Sequence, residues 1–239
     1  MTYRRPSGVW SEEEDKPLPE PGLFRKIFSD WWEGLFTLIV WAIGLLLLCL
    51  PLLVVALMST PIALMLAAFT LAPGLAGLMA ACAKGARGGF IRLGDAVRGL
   101  PHVYWRSMLL ALPLTLVLAI ILITRDVVAV AAGRTELVIS WAFQTGIALT
   151  LAILHIYLYP VLVLYDFPIR RTVLVAAALA VKYIWQTVVL LGVAVVLLAA
   201  TTLHPLVWLF VIGAWCVIST NATWRLARQL LPDSNGIDK

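Results

Sequence analysis

The sequence predicts an all-α membrane protein with about six transmembrane helices. Hydrophobic residues make up 62% of the 239 residues and charged residues only 13%, whereas a soluble domain has about 25% charged residues. The apolar residues form long runs rather than alternating with polar ones, so they favour helices over the strands of a membrane barrel. A soluble fold of this size could not bury this much apolar surface away from water. We therefore expect the lipid bilayer to be the first partner of the chain.

Six segments carry the roughly 20 mostly apolar residues that a helix needs to cross a bilayer. We expect these helices over residues 35–58, 61–83, 107–123, 137–164, 184–200 and 205–220. Together they predict one transmembrane domain over residues 23–231. The flanking segments are polar, and we expect residues 1–22 to form a disordered cytoplasmic tail and residues 232–239 a short cytoplasmic tail.

The first two predicted helices differ in composition. The first contains the continuous apolar run "IGLLLLCLPLLVVAL", and the second contains "APGLAGLMAACA", which is rich in small residues. Small side chains let helix backbones approach closely in a bilayer. The predicted close-packing face of the second helix consists of Ala72, Gly74, Gly77, Ala80 and Ala81. Each of the first four predicted helices contains a proline that is expected to kink it and to free a backbone carbonyl. These prolines are Pro51, Pro73, Pro113 and Pro160.

Two segments that are too polar to span lead into the third and fifth predicted helices. They read "FIRLGDAVRGLPHVYWRS" and "PIRRTVLVAAALAVKYIWQ". We interpret both as cytoplasmic segments that lie along the membrane interface. Pro101 interrupts the first of them, so the sequence does not favour a single straight helix there.

The fourth predicted helix ends in "LYPVLVLYDFPIRR", where apolar sequence gives way to polar residues. Pro168 suits the first turn of a helix, so Asp166 is predicted to cap the lead-in to helix five. Arg170 and Arg171 are predicted to hold this turn in the cytoplasm and to pair with Asp166. We therefore expect a topological hinge here rather than a reactive site.

The basic residues predict the orientation of the chain. All but two of the 18 Lys and Arg residues fall on one side of the predicted membrane, and the two exceptions are Arg125 and Arg134. Basic residues remain in the cytoplasm during membrane insertion. Both termini are therefore predicted to be cytoplasmic, in a plasma (inner) membrane. The same distribution explains the net charge of +5 without a nucleic-acid partner.

Few side chains inside the predicted helices could carry chemistry. His155 is the only ionisable side chain well inside one of them, and its helical neighbours offer no metal ligand apart from Tyr159. The sequence also lacks the HExxH, GxSxG and P-loop signatures. We therefore predict no catalytic residue, no cofactor, no metal site and no enzyme. Hydrogen bonding between helices is the predicted role of Gln144, His155 and Asn221.

Three of the predicted helices begin with similar sequences, and this similarity has two interpretations. "WRSMLLALPLTLVLAI" resembles "WQTVVLLGVAVVLLAA", and "WEGLFTLIVWAIGLLL" is a looser third copy. One interpretation is a threefold repeat of helix hairpins, as in some transporters. The other is that Trp and basic residues recur at every cytoplasmic interface because each interface solvates them in the same way.

Three stretches carry a resemblance to a known family. They are "LFRKIFSDWWEGLFTLIVWAIGLLLLCLPLL" with the following "LAPGLAGLMAACAKGARGG", the basic "DAVRGLPHVYWRSMLLAL", and "LYPVLVLYDFPIRRTVLVAAALA". Over residues 22–231 the chain resembles the YesL-like family of bacterial membrane proteins, a domain family of unknown function. Phe167 and Pro168 depart from the family, which has more polar residues there. The resemblance implies a six-helix inner-membrane protein that is accessory to a carbohydrate uptake system.

These observations lead to three hypotheses. The leading one is a non-enzymatic polytopic inner-membrane protein that packs with a membrane permease subunit, or with itself. The alternative is a transporter or channel for a small solute such as a sugar. Its site would draw on Trp41, Trp141, Gln144, His155, Tyr157 and Tyr159. The third is a membrane enzyme, which would need Asp166, His155 or Glu136 to converge on one cavity.

Overall fold

The computed structural model describes residues 22–130, 135–202 and 207–230. These residues form seven helices: α1 (Leu23–Met58), α2 (Thr60–Ala86), α3 (Leu93–Val130), α4 (Thr135–Tyr165), α5 (Ile169–Lys182), α6 (Ile184–Thr201) and α7 (Val207–Leu230). All of them except α5 are long and apolar enough to cross a membrane. The prediction of an all-α membrane protein with six transmembrane helices is therefore confirmed. Residues 1–21 of the first predicted tail and residues 232–239 of the second lie outside the described residues.

Contacts that involve charged side chains join the long helices at one end of the bundle. At this end Lys84 of α2 pairs with Asp95 of α3 at 3.0 Å, and Asn221 of α7 donates to Asp30 of α1 at 3.1 Å. We call it the basic end, because every described Lys and Arg residue except Arg125 lies at or near it. The helices α1, α3 and α6 begin there, and α2, α4 and α7 end there.

Small residues let α1 and α3 approach α2 closely. A Cβ atom at Gly77 would lie 3.2 Å from Leu100 Cδ1 of α3 and 3.2 Å from the Trp41 ring of α1. On α3, a Cβ at Gly99 would lie 2.9 Å from Ala80 Cβ of α2. The predicted small-residue face of α2 is therefore confirmed. Its buried members are Ala72, Gly74, Gly77 and Ala81.

The residues before the third transmembrane segment belong to the same helix as that segment. The prediction of a separate interfacial segment, interrupted at Pro101, is wrong, because α3 is one helix over Leu93–Val130. Ala96 and Val103, on either side of the proline, are both buried, and Gly99 packs directly on α2. This packing against α2 stabilises the helix by more than the hydrogen bond lost at the proline costs.

The second lead-in segment forms the separate amphipathic helix α5. Its buried side chains, at the helical spacing i, i+3, i+4 and i+7, are Thr172, Val175, Ala176 and Leu179. On the other side, Leu174 is 70% exposed and Val181 is 77% exposed. One stripe of α5 thus packs on the bundle at the basic end, and the opposite apolar side chains remain uncovered.

Side chains from α1 and α3 donate to backbone oxygens of α2 around Pro73. Pro73 has no N–H, so it leaves the carbonyl oxygen of Phe69 without its helical donor. The Tyr104 hydroxyl of α3 donates to this oxygen at 3.0 Å. The indole N–H of Trp41 in α1 donates to Gly74 O at 2.9 Å. The carbonyl that the proline frees is therefore satisfied by a donor from α3.

Three pairs of consecutive helices form hairpins: α1–α2, α3–α4 and α6–α7. The two members of each pair are in contact, and α5 separates the second hairpin from the third. This order fits a threefold repeat and equally fits six unrelated helices, so the repeat stays a prediction.

Candidate functional site

Gln144 and His155, two polar side chains inside the transmembrane part of α4, both contact α3. Thr124 Oγ1 of α3 lies 3.2 Å from Gln144 Oε1. The His155 ring lies between two backbone oxygens, with Nδ1 2.7 Å from Leu151 O and Nε2 3.0 Å from Leu110 O of α3. A neutral imidazole carries one N–H and so donates to one of these oxygens. Both side chains therefore take part in helix packing.

The aromatic residues considered for a sugar site are Trp41, Trp141, Tyr157 and Tyr159. On α4, the Tyr157 hydroxyl lies 2.9 Å from Thr187 Oγ1 of α6, and the Tyr159 ring packs edge-on against His155 with centroids 5.6 Å apart. Trp41 lines an apolar cavity of about 430 Å³ between α1, α2 and α3, which no α4 residue lines. The structure thus does not bring Trp41 together with the α4 residues.

Asp166 follows the end of α4 in a left-handed backbone conformation, with φ of +50°. Its carboxylate accepts a hydrogen bond from Arg106 Nη1 and lies 3.0 Å from His102 Nε2, and both partners are on α3. The prediction that Asp166 caps the next helix is wrong, because Pro168 occupies the N-cap of α5 and no side chain caps that helix. The contact with α3 satisfies the carboxylate instead.

Arg170 and Arg171 lie in the first turn of α5. The guanidinium of Arg171 lies 4.1 Å from the centre of the Phe167 ring, and Arg170 is exposed. The predicted pairing of these arginines with Asp166 is wrong, since the carboxylate contacts His102 and Arg106 of α3 instead. The carboxylate of Asp166 therefore joins the connection between α4 and α5 to α3.

Substitution of Asp166 separates the roles of its charge and its backbone conformation. Asp166→Asn keeps a residue type that tolerates left-handed φ and is expected to lower the free energy of unfolding by only about 0.2–1 kcal/mol, the range for an exposed ion pair. Asp166→Ala loses the pair and also adopts a strained backbone, so its expected loss is about 1–2 kcal/mol. Unfolding in mixed detergent micelles measures both values.

Asp166→Gly is the matched control, because glycine removes the charge and adopts positive φ without strain. We expect it to be more stable than Asp166→Ala. Equal stability of the Ala, Asn and Gly variants would show that backbone conformation at this position contributes nothing.

Asn221 joins the last helix to the first at the basic end. The residue is 1% exposed, and its side-chain N–H groups donate to Asp30 Oδ2 of α1 and to Val217 O, each at 3.1 Å. Sequence reasoning identified Asn221 and missed Asp30, because 191 residues separate the two. The sequence offered no signal for Asp30, which lies among Arg25, Lys26 and Glu33 before the first long apolar run.

A polar cavity of about 510 Å³ lies beside Asn221, between α1, the end of α2 and α7. We call it the basic pocket, because its charged lining residues are Lys26, Arg87, Arg225 and Arg228. Asn221 and Gln229 add side-chain amides, and Trp224 forms an aromatic wall. Among the residues that the structure describes, none of those that line it is Asp or Glu. Such a site has the chemistry to bind an anion.

Trp224 positions two guanidinium groups of the basic pocket. Arg228 Cζ lies 4.4 Å and Arg87 Cζ 5.7 Å from the centre of a Trp224 ring. Arg87 also donates to Leu164 O, at the end of α4. The Trp224 ring itself packs against Tyr165, with centroids 6.1 Å apart. Sequence reasoning assigned these basic residues to topology alone and missed their convergence, since three distant segments contribute them.

The part of the chain that the structure describes contains no cluster of metal ligands. Within it, no three His, Cys, Asp or Glu side chains come together as metal ligands. Asp166 and His155, considered for a membrane enzyme, lie about three helical turns apart. The side chain of Glu136 lies outside the described residues.

The chain matches no protein-family model, no curated protein and no solved structure.

Proposed function

We propose that this polytopic membrane protein is a non-enzymatic accessory subunit of the bacterial inner membrane, that it packs with a membrane permease subunit, and that this permease takes up a carbohydrate. One observation carries the accessory role. Gln144, His155 and Tyr157, three polar side chains of α4, each contact a neighbouring helix. A transporter or an enzyme needs such groups to be open to its substrate.

The link to carbohydrate uptake rests on the resemblance of residues 22–231 to the YesL-like family, some members of which accompany carbohydrate uptake and breakdown systems. Membership of that family is part of the proposal. So is the orientation, in which the basic end and both termini face the cytoplasm. The asymmetric distribution of Lys and Arg supports this orientation.

Purification of the tagged chain from its native membranes in mild detergent tests the accessory role. We expect a permease subunit to co-purify in near-stoichiometric amount, and deletion of the chain to lower uptake of the sugar that this permease carries. Recovery of the chain alone, with uptake unchanged by its deletion, would overturn the proposal.

Reconstitution of the purified chain into liposomes distinguishes the transporter alternative. The proposal predicts no sugar flux through the chain alone. Flux that Gln144→Leu and His155→Leu both abolish would overturn the accessory role and establish transport through α4.

A further inference from the structure

The basic pocket brings cations from three helices into one concave site at the end of the bundle. We propose that it binds the phosphate group of an anionic phospholipid, and that an acyl chain of this lipid lies in the neighbouring groove between α6 and α7. This inference goes beyond the proposed accessory role and does not depend on a permease partner.

The charge of the basic pocket favours a phosphate group. Four cationic side chains line it, and no acidic residue of the described ranges does so. The nearby carboxylate of Asp30 accepts a hydrogen bond from Asn221. Phosphate oxygens accept charge-assisted hydrogen bonds, and a guanidinium presents its donors in a planar fork that matches them. The volume of about 510 Å³ lies within the range of about 300–1,000 Å³ for small-ligand sites.

Two arginines of the basic pocket are held in place by protein contacts. Arg87 donates to Leu164 O, and both Arg87 and Arg228 lie over Trp224. Side chains that are already ordered lose less conformational entropy when a ligand binds. This arrangement thus favours binding at a defined site over diffuse attraction to a charged surface.

An apolar groove continues from the basic pocket between α6 and α7. The groove has a volume of about 650 Å³ and shares Arg225 and Gln229 with the basic pocket. Val189 and Leu226 form part of its apolar wall. Trp185 also lines it and is 76% exposed, as is typical of Trp at the membrane–water boundary.

The two adjoining sites together match a phospholipid better than a soluble phosphate. A phospholipid has a phosphate group for the basic pocket and an acyl chain for the groove, whereas a soluble phosphate would occupy the basic pocket alone. Basic pockets at the ends of transmembrane helices are known to bind anionic lipid headgroups.

Stabilisation of helix ends is the competing explanation of these cations, because the carbonyl groups at a helix C-terminus carry partial negative charge. This explanation fits Arg87, which binds a carbonyl at the end of α4, and Arg228, which lies in the last turn of α7. Lys26, in the first turn of α1, instead opposes the helix dipole, although the charge of Asp30 one turn later offsets part of that cost. Helix-end stabilisation therefore accounts for Arg87 better than for Lys26.

Native mass spectrometry of the full chain in nonionic detergent tests the lipid site. The probes are phosphatidylglycerol, which is anionic, phosphatidylcholine, which has no net charge, and inorganic phosphate. We expect the chain to bind phosphatidylglycerol more tightly than either other probe. The double variant Lys26→Gln, Arg228→Gln is expected to bind it about thirtyfold more weakly, since each basic residue contributes about fivefold.

The matched control is the double variant Arg98→Gln, Arg170→Gln, which removes the same net charge from exposed positions at the basic end that do not line the pocket. Its affinity for phosphatidylglycerol is expected to change less than threefold. If the first double variant fails to fold, Lys26→Gln alone is measured, with an expected loss of about fivefold.

Three results would overturn the lipid site. Equal losses in the two double variants would assign the effect to net charge. Equal binding of phosphatidylcholine would remove the role of the anionic group. Binding of inorganic phosphate as tight as that of phosphatidylglycerol would assign the basic pocket to a soluble phosphate.

Discussion

Gly99→Ala is expected to lower the free energy of unfolding by about 1–3 kcal/mol, the usual cost of adding a methyl group to a fully packed contact. The new Cβ would lie 2.9 Å from Ala80 Cβ. Both atoms are fixed to helix backbones, so no side-chain rotation relieves the overlap, and α2 and α3 have to separate. Unfolding by sodium dodecyl sulfate in mixed micelles, followed by circular dichroism, measures the loss.

A rescue and a control make this prediction specific. Ala80→Gly in the Gly99→Ala background removes the opposing methyl group, so we expect a favourable coupling energy of about 1 kcal/mol or more between the two positions. Gly94→Ala lies on the same helix and meets no atom within 4 Å, so it should leave stability unchanged or raise it by up to about 1 kcal/mol. Equal effects of Gly99→Ala and Gly94→Ala would contradict close packing between α2 and α3.

The transmembrane helices could be predicted because the bilayer constrains them one at a time. Backbone groups in lipid have to be satisfied within each segment, so an apolar run such as residues 184–200 predicts its helix without knowledge of its neighbours. The small-residue face of α2 could also be predicted from the sequence, since Gly74 and Gly77 have few roles in a transmembrane helix other than close packing.

Predictions at Pro101 and Asp166 were wrong because a distant helix decides the local structure at each position. Proline and aspartate have strong local preferences, for helix interruption and for helix capping. At Pro101, packing on α2 keeps the helix intact. The carboxylate of Asp166 contacts Arg106 and His102 of α3. The same reason explains why the basic pocket could not be predicted, since α1, α2 and α7 each contribute part of it.

Asn221→Leu is expected to lower the free energy of unfolding by about 1.5–3 kcal/mol, the range for a hydrogen bond to a charged group. The substitution removes the N–H group that binds Asp30 Oδ2 and leaves a half-buried carboxylate with an apolar neighbour. Ser29→Ala is the matched control on α1. Its hydroxyl bonds only to the exposed side chain of Glu33, so it should change stability by less than about 0.5 kcal/mol.

An exchange of the two side chains tests whether the pair itself stabilises the contact between α1 and α7. Asn221→Asp alone places two carboxylates side by side and should be at least as destabilising as Asn221→Leu, because like charges repel across a short distance. The double variant Asp30→Asn, Asn221→Asp restores one amide and one carboxylate, so it should regain more than half of the lost stability. A double variant that is less stable than Asn221→Asp would contradict a direct bond between these side chains. In that case the destabilisation would reflect the packing of Asn221 within α7, where its side chain also donates to Val217 O.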